Sequence, residues 1–139
     1  MSIELIPLCT ADIVLGEQIF VGAAGAGMRV IAEVESVTLA GDRISANLKG
    51  HAAADWVTVN GTIGVVDVRI TLETNDGAII YVAYGGRIDF TNGPGTSPIY
   101  VAPTFETGDE RYAWLNVVQA VGKGDLHGSN LTYEMYEVR

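Results

Sequence analysis

A single cysteine, Cys9, occurs in the chain, so no internal disulfide framework is available to it. Basic residues are scarce as well: Lys and Arg number 8 against 17 Asp and Glu, for a formal charge of -9. So acidic a surface repels phosphate backbones and anionic lipid, and neither nucleic acid nor a membrane surface is expected as a partner. No apolar run approaches the roughly 20 residues of a membrane-spanning helix. The N-terminal stretch "MSIELIPLCTADIVLG" carries Glu4 and Asp12 but no basic segment, so it does not read as a signal peptide. These absences together suggest a cytoplasmic protein. Histidine is limited to His51 and His127, both in turn-like segments where solvent exposure is expected. Two histidines without clustered Cys or Asp make no metal site, and neither a metal nor a cofactor is expected. Linkers, repeats and low-complexity segments are lacking too, so residues 1–139 read as one domain, long enough for a sizeable core.

Helical periodicity is also missing. Apolar residues do not recur at three- and four-residue spacing; instead, turn signals arrive at short intervals. They include Gly41-Asp42, Asn60-Gly61, Asp76-Gly77, Asn92-Gly93-Pro94-Gly95, Gly108-Asp109, Gly122-Lys123-Gly124-Asp125 and Gly128-Ser129-Asn130. Asn-Gly and Asp-Gly tolerate the positive φ that hairpin turns demand. Between the turns lie "MRVIAEVESVTLA", "DWVTV", "TIGVVDVRITLET", "AIIYVAYGGRIDF", "IYVAPTFET", "RYAWLNVVQAVG" and "LTYEMYEV", with "ELIPLCTADIVLG" and "QIFVG" before them. These runs predict about nine strands and at most one short helix, an all-β meander. Closure into a single antiparallel β-barrel would remove its exposed edges. The Gly-rich "GAAGAG" (22–27) leads into a strand rather than a helix, so it lacks the setting of a dinucleotide fingerprint. It reads as a flexible loop at a barrel mouth.

The stretch "VVDVRITLETNDG" (65–77) poses the main question about function. Alternate residues separate Asp67, Arg69, Thr71 and Glu73 from Val66, Val68, Ile70 and Leu72. A two- or four-residue turn around Asp76-Gly77 places the polar row beside Ile80, Val82 and Tyr84; a three-residue turn places it beside Tyr81. Two arrangements satisfy the apolar row. It fills the barrel and the polar row is solvated, which periodicity alone favours, or the polar row lines a pocket and another chain covers the apolar row.

The segments "ADWVTVNGTIGVVDVRITLETNDGAIIYVAYGG" (54–86), "FETGDERYAWLN" (105–116) and "GAGMRVIAEVESVTLAGDRISANLKG" (25–50) resemble the uncharacterised bacterial and fungal domain of unknown function family 3237, nearly end to end. Asp55-Trp56, Asp67-x-Arg69, Asp76-Gly77-Ala78, Phe105-Glu106-Thr107-Gly108 and Tyr112-Ala113-Trp114-Leu115-Asn116 carry the likeness. The resemblance implies a small antiparallel barrel of the calycin or allene-oxide-cyclase type that self-associates. It implies little about reaction. It shifts the reading of Asp67 and Arg69 toward a pocket, where Arg69 would offer a planar fork to a carboxylate, enolate or phenolate and Asp67 would stay ionised beside it.

Other residues complete the expected site. Tyr112, Trp114 and Asn116 share one face of "RYAWLNVV" and look like a ligand wall of flat bodies with polar handles. Trp56 and Tyr84 are expected around the same cavity. Ordinary barrel packing explains Trp114 alone at least as well. Glu106 would be a general base if buried and a rim charge otherwise. Three functions fit these residues. One is a cofactor-free lyase, isomerase, hydratase or cyclase acting on a small apolar carbonyl or phenolic compound: Arg69, Asn116 and a Tyr hydroxyl would hold an oxyanion, and Asp67 or Glu106 would move a proton. The others are a non-catalytic ligand-binding barrel and an assembly protein with a filled core. A homodimer or higher homo-oligomer is expected in the pocket arrangement, with Val66, Val68, Ile70 and Leu72 buried between chains.

Overall fold

The computed structural model describes residues 1–25 and 27–139. Ala26, within the Gly-rich stretch, lies outside the described residues. Ten strands form one antiparallel sheet: β1 (Leu5–Ala24), β2 (Gly27–Ala40), β3 (Ala46–Leu48), β4 (Ala54–Asn60), β5 (Ile63–Thr74), β6 (Ile79–Asp89), β7 (Ile99–Val101), β8 (Thr104–Glu106), β9 (Ala120–His127) and β10 (Asn130–Val138). A 3₁₀ helix spans Glu110–Val117.

The sheet closes on itself. β1 pairs with β10 from Leu5↔Val138 to Val14↔Asn130, and β5 pairs with β6 along the length of both. Two strand places are each filled by two short strands. β4 and β3 lie end to end between β2 and β5, and β7 and β8 lie end to end along β6. The break at Ala102-Pro103 separates β7 from β8, because proline has no N–H to give a ladder. "ELIPLCTADIVLG" and "QIFVG" are one 20-residue strand, interrupted by register shifts after Val14, Leu15 and Phe20. The β1–β2 hairpin therefore extends past the barrel rim, and residues 22–24 end β1 where a loop was expected. Among the described residues, no helix is long and apolar enough to cross a membrane.

The interior is apolar. Val66, Val68, Ile70 and Leu72 of β5 point inward with Ile80, Val82 and Tyr84 of β6 and Leu131, Tyr133 and Met135 of β10. This corrects the expected register. The turn is Asn75-Asp76-Gly77, closed by Thr74 N–H to Ala78 O (2.8 Å) and Gly77 N–H to Thr74 O (3.0 Å), with Gly77 at φ 90°. Three residues in the loop pair Val68 with Tyr84 and Thr71 with Tyr81, so the polar row faces out. The apolar row is covered by the chain's own core, so it is not the interface between chains that the pocket arrangement required.

"RYAWLN" is the other correction. It forms the 3₁₀ helix instead of a strand, because Asp109 caps it by accepting the Arg111 N–H (2.9 Å). The helix plugs one end of the barrel with Leu115, which is fully buried.

Interior glycines set how the core rings pack. A Cβ on Gly124 would lie 2.5 Å from Cε1 of Tyr133, a ring held within the core with no flexible end to yield. Gly124→Ala is expected to destabilise the protein by about 1–3 kcal/mol through overpacking. Urea unfolding measures this, and a midpoint equal to the parent's would contradict the packing described.

Candidate functional site

The end of the barrel opposite the helix is open and contains a cavity of about 280 Å³. β1 and β2 supply one wall, with Leu15, Gln18, Phe20, Met28 and Val30 near the rim. Val68, Tyr84, Ile99 and Leu131 lie deeper, and Phe90 and Pro94 border the opening. Among the described residues no Lys, Arg or His lines it, and Asp55 of β4 supplies its one carboxylate.

Strand parity turns Asp55 inward, since it shares a face with Val57 and Val59, which line the same wall. β4 and β5 pair at Asp55↔Val68 and again at Thr58↔Val65. Between these points Asp55 Oδ1 accepts the backbone N–H of Asp67 (2.9 Å), and Arg29 Nη1 donates to the carbonyl of Trp56 (2.8 Å). Side chains thus satisfy backbone groups in that part of the ladder. Burial pushes the Asp55 carboxyl up to about 7; the Asp67 hydrogen bond opposes the rise and the nearby Asp67 charge adds to it.

Two tyrosines lie near Asp55, and the register Asp55↔Val68↔Tyr84 sets the first of them level with it. Tyr84 borders both the mouth cavity and a small, wholly apolar void of about 30 Å³ beneath it. Tyr133 of β10 stands between Leu131, which lines the cavity, and Met135, which lines the void. The two rings meet edge to face, with centroids 6.0 Å apart, and together separate the two spaces. Burial raises the pKa of both phenols, and the Asp55 charge raises it further, so both stay protonated. The Tyr133 hydroxyl is buried and has no hydrogen-bond partner among the described residues.

Of the eight residues expected at a site, only Tyr84 faces this cavity. Asp67 and Arg69 lie on the outer wall, both more than half exposed, 3.9 Å apart; the expectation that they point into the barrel is corrected by the register of β5. Arg69 lies over the ring of Trp56, also on the outside, 5.2 Å from its centroid. The other four are at the plugged end. The Tyr112 hydroxyl donates to Asp76 (2.9 Å), Trp114 lies under Arg43 (4.5 Å), and Asn116 exchanges two hydrogen bonds with the backbone of Thr107 (2.9 and 3.0 Å). Glu106 is exposed, a rim charge. His51 and His127 are exposed. Among the described residues no three of His, Cys, Asp and Glu gather as a metal-binding group. Asp55 and Tyr133 were missed. The signal for Asp55 was a lone acid on the Val57–Val59 face of "ADWVTV".

A closed antiparallel barrel, plugged at one end and carrying, among the described residues, a single half-buried carboxylate in an apolar mouth, defines the class of this protein. Over residues 3–138 the chain matches the family described as protein of unknown function (DUF3237), and it belongs to that family. It is 26% identical over 137 residues to a UPF0311 protein of Rhodopseudomonas palustris, covering 89% of each chain. Among solved structures it is similar to a β-barrel-like protein of Acinetobacter baumannii (TM-score 0.91, 27% identity, 100% and 98% of the two chains). It also shares its fold with a protein of unknown function from Clostridium acetobutylicum (TM-score 0.90, 18% identity, 99% and 100%). The same holds for a structure described as an enzyme from Penicillium herquei (TM-score 0.77, 22% identity, 99% and 94%).

Two expectations follow from the site. Arg69→Ala and Asp67→Ala should each change unfolding free energy by only about 0–1 kcal/mol, as befits a solvated pair; a loss of several kcal/mol in urea titrations would place them inside. Asp55 carries the opposite signature. Its carboxyl is raised from 3.8 to about 7 on folding, so the folded chain holds its proton more tightly, and that stabilisation is lost as pH rises through this window. Asp55→Asn should flatten the loss of stability between pH 4 and 7, leaving the variant at least as stable as the parent at pH 8. Parallel melting curves across that range would show that Asp55 ionises freely.

Proposed function

We propose that the protein binds a small, uncharged, mostly apolar compound in the barrel mouth and that Asp55 transfers a proton to and from it. The observation that carries this reading is the lone carboxylate in an apolar cavity with its pKa raised to about 7. A group poised near neutral pH serves as base and acid in turn. Cavity chemistry favours a neutral ligand, because no cation lines the wall to offset a carboxylate or phosphate. The reaction class consistent with this is a cofactor-independent isomerisation, lyase step, hydration or cyclisation at a carbonyl or phenol. Asp55 takes the place that Asp67 and Glu106 held in the expectation from sequence. The Penicillium herquei protein described as an enzyme has the same barrel, so the architecture is compatible with catalysis; at this identity the likeness is one of fold.

Exchange of the α-protons of tetralone, a neutral enolisable ketone, tests the reading. In heavy water, NMR should show the parent accelerating loss of the α-proton signal, with Asp55→Asn slower by about 100-fold or more. A parent no faster than Asp55→Asn would overturn proton transfer. Binding of the ketone without exchange would leave a non-catalytic ligand-binding barrel.

A further inference from the structure

The Tyr133 hydroxyl makes no well-formed hydrogen bond; the polar group beside it is the Tyr84 phenol. Tyr133 is 0% exposed, and its oxygen is the one buried side-chain polar atom without a partner among the described residues. Gly124 leaves the space its ring needs, and a phenylalanine ring would fill that space equally well. Packing thus accounts for the ring and not for the oxygen. A buried polar group left unpaired is unfavourable, and such groups are rare in folded proteins.

The surroundings narrow what the hydroxyl serves. The void on one side is lined by apolar side chains and the ring of Tyr84, which offer a water none of the polar partners it needs. The cavity on the other side is ligand-sized and brings Asp55 and Tyr84 to the same level. Tyr84 and Tyr133 are neutral hydrogen-bond donors, and Asp55 is the only acid among the described residues that lines the cavity. Tyr84 and Asp55 line the cavity, and Tyr133 packs directly behind Tyr84; one donor with a second at its side and one proton acceptor match a carbonyl group with an acidic C–H beside it.

We propose that the cavity floor is an oxygen-binding subsite in which the Tyr84 and Tyr133 hydroxyls donate to the carbonyl oxygen of an uncharged, enolisable ketone. This rests on the reading of the mouth as a ligand site and names its substrate class. In the step it supports, Asp55 carboxylate takes a proton from the carbon next to the carbonyl. The C–H electron pair becomes the C=C bond of an enolate, and the C=O π pair moves to oxygen, where the two phenols stabilise it. Asp55 then returns its proton to carbon or, in a conjugated substrate, to a more distant carbon, so no oxidant, reductant or co-reactant is consumed. The apolar walls above hold the hydrocarbon body of the ligand.

Tetralone and tetralin, alike in shape but differing in the oxygen, separate the possibilities. Calorimetry or NMR titration should find that the parent binds tetralone about tenfold more tightly than tetralin, roughly the value of one well-made hydrogen bond. Tyr133→Phe and Tyr84→Phe should each reduce that preference, leave tetralin affinity unchanged, and slow α-proton exchange of bound tetralone. Tyr133→Phe should melt no lower than the parent, because the hydroxyl makes no well-formed hydrogen bond to lose. Equal affinities for the two compounds in the parent, or a preference that survives Tyr133→Phe, would overturn the oxygen subsite while leaving the cavity as a ligand site. A lowered melting temperature for Tyr133→Phe would also overturn it, by giving the oxygen a structural role. Failure of both compounds to bind the parent would remove the ligand site and this inference together.

Discussion

The inward direction of one strand face governs the rest of the molecule. Val66, Val68, Ile70 and Leu72 alternate strictly along β5 and are all nearly inaccessible. Burying each is worth roughly 1.5–3 kcal/mol, so a register that turned them outward would lose much of the core. The turn Asn75-Asp76-Gly77 fixes that register: Gly77 takes a positive φ that a side chain would resist, and Thr74 bonds across the loop to Ala78 through backbone and hydroxyl alike. A loop one residue longer or shorter would send every side chain of one strand to the other face relative to its neighbour.

Closure adds the second condition. With β1 bonded to β10 and β5 to β6, the barrel has no free edge along its long strands. The two ends then differ. At one, the 3₁₀ helix drives Leu115 into the core and is held by Asp76, Asp109 and Arg111, in hydrogen bonds of 2.9–3.0 Å. At the other, the long β1–β2 hairpin rises past the rim and exposes Phe20 and Met28 beside the opening. The filled half provides stability, and the open half provides space. Tyr84 and Tyr133 mark the boundary between them.

That division explains why residues with an outwardly chemical look hold the structure together. Tyr112, Trp114 and Asn116 combine flat bodies with polar handles, which suits a ligand wall, but the Tyr112 and Asn116 handles are engaged with Asp76 and Thr107, and the Trp114 ring lies under Arg43 at the plugged end. Asp67 and Arg69 are solvated, with Arg69 lying on Trp56. The chemically unusual groups are less conspicuous: one aspartate on an apolar strand face and one buried tyrosine whose oxygen makes no well-formed hydrogen bond.

Composition, turn spacing and strand periodicity were enough to determine an all-β chain, close to the right number of strands, and a barrel as the means of removing edges, because these depend on local backbone preference and on alternation with period two. The apolar row of β5 was equally plain. Its direction was not, because facing depends on whether a loop has two, three or four residues, and "ETNDGA" is compatible with each until the strands pair. "RYAWLN" reads as a strand by residue type and becomes a helix because Asp109 caps it and Leu115 has a barrel end to fill. The cavity belongs wholly to tertiary structure. Asp55 comes from β4, Tyr84 from β6 and Tyr133 from β10, and only barrel closure brings these distant positions around one space that excludes enough water to shift a carboxylate toward neutrality.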